Sequence, residues 1–136
     1  DTLPPAEASQ LAKKLGLGSH QPRRLDILLG FPVDTTLAAA RLVFSGILER
    51  YSNLKLILSH LGGALPFLAG RLANGSNSFE GIKKNISGDA RDYFRMFYLD
   101  TIAYEPEILA FGAGFAGVEK IVFGTDSPFF GEWNST

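Results

Sequence analysis

Two side chains sit where a parallel sheet places its chemistry. His60 follows the apolar run Leu54-Lys55-Leu56-Ile57-Leu58-Ser59, and Asp126 follows Lys120-Ile121-Val122-Phe123-Gly124. Residues just past the C-terminal ends of parallel strands form the reactive rim of α/β folds. Ser59-His60-Leu61-Gly62-Gly63 puts an imidazole on such a rim and follows it with glycines that let backbone or ligand come close. Phe123-Gly124-Thr125-Asp126-Ser127-Pro128 delivers a carboxylate and turns the chain away with a proline. An imidazole takes and gives protons near neutral pH, and a carboxylate ligates a cation while fixing a water. The two groups are expected to project from neighbouring rims of one parallel sheet into a shared pocket.

On spacing alone the ordinary readings are the commoner ones. A lone histidine at a strand end is by default a hydrogen-bonded structural residue, and an aspartate before Ser-Pro is a common turn or capping residue. Arg71, on the helix that follows His60, would ordinarily lie on a solvated or ion-paired face. His20, between Gly18-Ser19 and Gln21-Pro22, is most simply a loop residue.

The elements that would position these residues alternate in kind. Asp1 to Gly30 reads as a long loop with a helical candidate over Ala6 to Leu15, because Pro4-Pro5, Gly16, Gly18 and Pro22 punctuate it. Asp34, Thr35 or Thr36 can cap a helix whose Leu37, Ala40, Phe44, Ile47, Leu48 and Tyr51 recur at three- and four-residue spacing. Leu54 to Ser59 then has the compact apolar character of a strand buried on both faces. Pro66 opens a helix to about Asn74, since proline in the first turn removes no hydrogen bond, and Gly75 to Gly88 reads as a loop. Asp89 can cap a short helix through Phe94. A strand over Phe97 to Ile102, a helix from Pro106 to about Phe115 and a strand over Lys120 to Gly124 complete a pattern that builds parallel sheets through crossovers.

Composition narrows the field. The 13 basic and 14 acidic residues leave a formal charge of −1, so no overall field attracts nucleic acid. No apolar run is expected to approach the roughly 20 residues of a membrane span, so no membrane partner is expected. Without cysteine, any metal must be held by His, Asp or Glu, and the absence fits a cytoplasmic setting. At 136 residues the chain is too short for a closed eight-stranded barrel, which takes about 250.

Three segments, in order, carry a resemblance: Leu29-Gly30-Phe31-Pro32-Val33-Asp34-Thr35-Thr36, the stretch from Asn53 to Arg71 that contains Ser59-His60-Leu61-Gly62-Gly63, and Phe123-Gly124-Thr125-Asp126-Ser127-Pro128-Phe129. Together they resemble the amidohydrolase-related metal-dependent enzymes (amidohydrolase family 2), and within them the 2-amino-3-carboxymuconate-6-semialdehyde decarboxylase-like proteins. The resemblance runs from about Leu29 to Phe130.

It implies a (β/α)8 TIM barrel whose zinc or manganese is held by a His-x-His pair on the first strand, a histidine on the fifth and an aspartate on the eighth. Asp126 resembles that eighth-strand metal ligand. His60 resembles the sixth-strand histidine beside the metal, Arg71 the arginine that reaches a substrate carboxylate, in some members across a dimer interface, and Phe129 the apolar residue lining the substrate pocket. The sequence has no His-x-His, and only His20 could stand in for the fifth-strand ligand, with no strand-like run before it. The expected fold class is therefore α/β: the C-terminal part of the barrel, about strands six to eight, incomplete as a barrel. Residues 1–136 would form one partial domain, with 1–30 a loop-rich lead-in and 31–130 the family-like region.

The function so implied is a portion of a carboxy-lyase acting on an aromatic or muconate-type acid with a divalent metal and no organic cofactor, inactive alone. A hydrolase of a lactone or amide on the same scaffold, or a non-catalytic remnant, remains open. The expected partners are a small carboxylic acid and either a second copy or the missing barrel half, because three strands leave sheet edges and apolar faces to cover.

Overall fold

The computed structural model describes Glu7, Gln10, Lys14 and residues 25–129. His20 and most of the candidate helix over Ala6 to Leu15 lie outside the described residues, although Glu7, Gln10 and Lys14 are helical. The chain divides into two compact units, Asp1–Phe31 and Pro32–Thr136. In the first, Asp26–Gly30 forms a single π-helical turn rather than the expected loop.

Helical structure runs from Asp26 to Phe44, 19 residues of mean hydropathy 1.5, long and apolar enough by length and composition to cross a membrane. This corrects the expectation that no apolar run approaches that length. Gly30 and Pro32 look like breaks in the sequence, yet both are accommodated in helical backbone. Only 22% of that stretch is buried, at Thr36, Ala39, Ala40 and Val43, while Leu28, Leu29, Phe31, Val33 and Leu37 are exposed.

Helix α1 (Phe31–Phe44), all but its first residue in the second unit, begins before the expected caps, so Thr36 lies inside the helix and not at its end. Its buried positions recur at three- and four-residue spacing, one apolar stripe facing the core. It also ends earlier than its periodicity suggests. The chain turns at Ser45-Gly46, where the Ser45 hydroxyl donates to the Leu42 carbonyl at 2.8 Å, and α2 (Ile47–Arg50) follows as a separate turn.

Three short strands, β1 (Ile57–Leu58), β2 (Tyr98–Asp100) and β3 (Ile121–Val122), form a parallel sheet in that spatial order. Ile57 pairs with Tyr98 and Leu58 with Leu99, then Leu99 with Ile121 and Asp100 with Val122. Each strand is shorter than its apolar run, because ladder bonds form only where the neighbouring strand also runs. The expectation that the first strand is buried on both faces is corrected: Leu58 is 7% exposed but Ile57 is 62% exposed, the alternation of an edge strand with one covered face. On the central strand Leu99 is wholly buried.

Helix α3 (Leu65–Ser78) and α4 (Ala90–Phe94) connect β1 to β2, and α5 (Pro106–Ala116) connects β2 to β3. Pro66 and Pro106 lie in the first turns of α3 and α5, as expected. Asp89 caps α4, its carboxylate accepting from the Arg91 N–H at 2.9 Å. Helix α3 runs four residues past Asn74 into the expected loop. Phe94 and Phe97, with Leu48, Leu65, Leu99 and Val43, are the largest fully buried side chains. Each contributes about 1.5–3 kcal/mol through burial. Phe44 meets Phe94 edge to face at 5.8 Å between ring centres.

Candidate active site

The chain leaves β1 through Ser59 into a tight turn over His60–Gly62. His60 and Leu61 both adopt left-handed backbone, with φ of 56° and 53°, which costs an L-residue roughly 1–2 kcal/mol. Neighbours impose that conformation. The Asp100 carboxylate, at the end of β2 and only 7% exposed, accepts from the His60 N–H at 3.0 Å and the Leu61 N–H at 2.8 Å. The same carboxylate accepts from the Ile102 N–H at 3.1 Å.

The far side of the turn is clamped to α1. The Thr36 hydroxyl accepts from the Ala64 N–H at 2.9 Å and donates to the Pro32 carbonyl at 2.8 Å. Gly63 has φ of 63°, and a Cβ there would lie 2.1 Å from the Pro32 oxygen, so only glycine fits. Leu61 points inward against α5, where a Cβ on Gly112 would stand 2.7 Å from its side chain. With Leu61 buried and the turn pinned on both sides, the imidazole of His60 is left on the rim.

Asp126 arrives from β3. Thr101, just past β2, donates to the Gly124 carbonyl at 2.7 Å and accepts from the Gly124 N–H at 3.0 Å, fixing the exit of β3 to that of β2. Asp126 has φ of 58°. Its carbonyl accepts from the Phe129 N–H at 2.8 Å, closing a turn that contains the cis Ser127–Pro128 bond.

The result is a close approach between His60 Nε2 and Asp126 Oδ2, 3.8 Å apart, with side chains 24% and 18% exposed. That is too long for a hydrogen bond and short enough for both groups to hold one small polar partner. The expected geometry needs one correction: β1 and β3 are not neighbours, and the two side chains meet across the end of β2, which lies between them. The Nδ1 atom of His60 is buried with no hydrogen-bond partner among the described residues. Tyr104 joins the rim: its phenol is held above the ordinary value of 10.0, first by local loss of solvent, then by the charge and hydrogen bond of Asp126 and the charge of Asp100.

His60, Leu61, Tyr104 and Asp126 are the only left-handed non-glycine residues among the described ones, and they follow β1, β2 and β3 in turn. Backbone strain of this kind gathers at functional sites, where the surrounding structure over-determines it.

Arg71 and Phe129 stand elsewhere. Arg71, on α3, lines a separate cleft of about 710 Å³ with Phe44, Leu72, Phe79 and Ile82, to which neither His60 nor Asp126 contributes. Phe129 is 81% exposed, and its contact with the rim is the backbone bond to Asp126.

The donor set is short for a metal. Among the described residues no group of three or more His, Asp or Glu side chains is placed to hold an ion. Asp126 and His60 offer two donors, and both oxygens of Asp100 are engaged by backbone N–H groups. Four-coordinate zinc and octahedral manganese need more, so these residues do not by themselves fit a metal centre.

Asp100, Tyr104 and the clamping role of Thr36 were missed in the sequence. Asp100 satisfied the same positional rule as His60 and Asp126, being a carboxylate at the C-terminal end of a strand, but it lay inside the strand expected over Phe97 to Ile102. Tyr104 and Thr36 carry no comparable signal.

Comparison with known proteins bears on this arrangement. Residues 14–136 match the family described as Amidohydrolase. The 2-amino-3-carboxymuconate-6-semialdehyde decarboxylase of Dictyostelium discoideum is 34% identical over 103 residues, covering 75% of this chain and 29% of the relative. Among solved structures, apo IDCase of Metarhizium anisopliae aligns with a TM-score of 0.74 at 31% identity over 88% of this chain and 33% of its own. The dihydroxybenzoic acid decarboxylase of a Polaromonas species, with bound manganese and the inhibitor 2-nitroresorcinol, aligns with a TM-score of 0.67 at 27% identity over 96% of this chain and 38% of its own. The chain thus spans about a third of the length of these proteins.

Proposed function

The chain belongs to the amidohydrolase family, and from that premise we propose that it is the portion of a metal-dependent carboxy-lyase, acting on an aromatic or muconate-type carboxylic acid, that contributes about strands six to eight of a (β/α)8 barrel. The observation that carries this reading is the 3.8 Å approach of His60 Nε2 to Asp126 Oδ2 on a strained rim at the C-terminal ends of parallel strands. The decarboxylases to which the chain is similar, one of them with bound manganese, support it.

In this reading Asp126 would be one ligand of a divalent ion, zinc or manganese, with the remaining ligands supplied from outside the described residues, and the ion when bound would supply charge that orients the substrate's oxygens. In the reaction the bond between the ring or chain carbon and the carboxylate breaks, carbon dioxide leaves, and the carbon that keeps the electron pair takes a proton. In this reading His60 delivers that proton, the imidazole being a side chain suited to general acid–base work. Phe129, whose backbone N–H donates to the Asp126 carbonyl, would supply an apolar wall to the substrate pocket. Arg71, which lines a different cleft, meets a substrate carboxylate in bidentate fashion across an interface with a second copy.

The test is release of carbon dioxide from hydroxybenzoic and muconate-type acids by the full-length protein. Activity should vanish on chelation and return with manganese or zinc. Hydrolysis of lactones or amides by the metal-loaded protein, with no carbon dioxide released from any acid, would overturn the assignment.

A further inference from the structure

We infer that Asp100 is a positioning residue of this site: by accepting from the N–H groups of His60 and Leu61 together, its buried carboxylate fixes the left-handed turn that aims the imidazole at Asp126. The inference rests on the reading of His60 as the proton-moving group. Its structural half stands without it.

The geometry supports a specific division of labour. Oδ2 takes the His60 N–H at 3.0 Å and Oδ1 takes the Leu61 N–H at 2.8 Å, so the two oxygens grip successive residues. Two adjacent left-handed residues present their N–H groups to one side, forming a concavity that suits an anion. Here the anion belongs to the protein. The third bond, from the Ile102 N–H to Oδ1 at 3.1 Å, orients the carboxylate from its own strand end. Gly124 leaves room beside this carboxylate: a Cβ added there would stand 3.3 Å from the Cβ of Asp100. Asp100 thus ties the exit of β1 to that of β2, while Thr101 ties β2 to the exit of β3. Adjacent residues of the central strand's end therefore set the relative placement of His60 and Asp126. Asp100 itself touches neither of their side chains in any contact described above and acts through the backbone.

Substituting Asp100→Asn keeps shape and removes the second acceptor, placing an N–H₂ against an N–H. In the full-length protein we expect kcat to fall by about 10²-fold, the scale of a misplaced catalytic group, with KM little changed. The loss should disappear in a His60→Ala background, since a residue that acts through His60 has nothing to position once the imidazole is gone. By NMR, the amide protons of His60 and Leu61 should shift and lose exchange protection, while those around Glu49 should not.

A variant with unchanged kcat and unchanged His60 and Leu61 amides would overturn the inference. So would a loss that adds in full to that of His60→Ala. If the wild-type protein releases no carbon dioxide, the functional reading fails, and the amide measurements alone decide whether Asp100 holds the turn.

Discussion

Two places in this molecule pair a tyrosine with a carboxylate, and they behave in opposite ways. On the segments leading into the strands, Glu49 of α2 accepts from the Ser87 N–H at 2.8 Å, the Ser87 hydroxyl at 2.9 Å and the Tyr93 hydroxyl at 2.5 Å. Its carboxyl is held below the usual 4.5, chiefly by Tyr93. On the segments leaving the strands, Tyr104 meets Asp126, and there it is the phenol that is displaced, upward. Glu49 collects donors, sits on helical backbone and ties α2 to α4 and the loop before it. Asp126 sits on left-handed backbone, faces an imidazole 3.8 Å away and shares its rim with a buried nitrogen that has no partner among the described residues. A polar cluster whose members satisfy one another holds a fold together, whereas one held short of satisfaction by strained backbone is built to meet something else.

The largest test of that contrast is catalytic. In the full-length protein, His60→Ala should lower carbon dioxide release by about 10²–10⁴-fold, the range for a positioned proton-transfer group, and Asp126→Ala, which removes the proposed metal ligand, should lower it at least as far. Glu49→Gln should leave kcat where it was. Equal losses at Glu49 and His60 would erase the distinction between the two clusters.

A second test asks what holds the rim in shape. Gly63→Ala should destabilise the protein by about 3 kcal/mol, combining left-handed strain with overpacking against the Pro32 carbonyl and the Thr36 hydroxyl. Urea denaturation reads this as a lower midpoint at unchanged slope. A neutral Gly63→Ala would mean that the turn is not clamped to α1 and that His60 has freedom the geometry denies it.

How much of this was legible beforehand follows from what kind of information each residue carries. The three strands, the prolines opening α3 and α5 and the Asp89 cap are local, so periodicity and capping chemistry found them. His60 and Asp126 were legible as candidates because a rule about strand ends needs only the strand. Strand length was not legible, since it depends on the neighbouring strand, and Ile57 reads as buried in a run that the sheet leaves half uncovered. The first break in α1 was hidden for a similar reason. The apolar spacing continues through Leu48 and Tyr51, while the helix stops at Ser45-Gly46, where Ser45 bonds back to Leu42 and Gly46 turns left-handed with φ of 75°. Asp100 acts on residues about forty positions earlier in the chain, a contact that spacing cannot reveal. Arg71 shows the reverse: its motif is local and legible, yet the fold sets it in another cleft.

The smallest effect separates the clusters by pH. Glu49 has a folded-state pKa below its unfolded value of 4.5, so between the two values the unfolded chain binds more protons and stability rises with pH. The contribution is complete above pH 4.5 and is lost as pH falls through the depressed folded value. Asp89, held down chiefly by the Arg91 N–H, adds a loss of the same sign starting from 3.8. Glu49→Gln should therefore lower the neutral plateau by that contribution while leaving the acid limit near wild type, which flattens the acid side of the stability–pH curve. Tyr93→Phe should reproduce most of that flattening, because the tyrosine hydroxyl is the first cause of the shift. Glu49 and Asp89 are both exposed, so added salt should leave the flattening largely in place if hydrogen bonds produce it, and should erase it if it is a diffuse charge effect. Thermal midpoints of wild type and the two variants across that acid range check the prediction. Parallel curves for all three would show that the Glu49 cluster does not hold the fold.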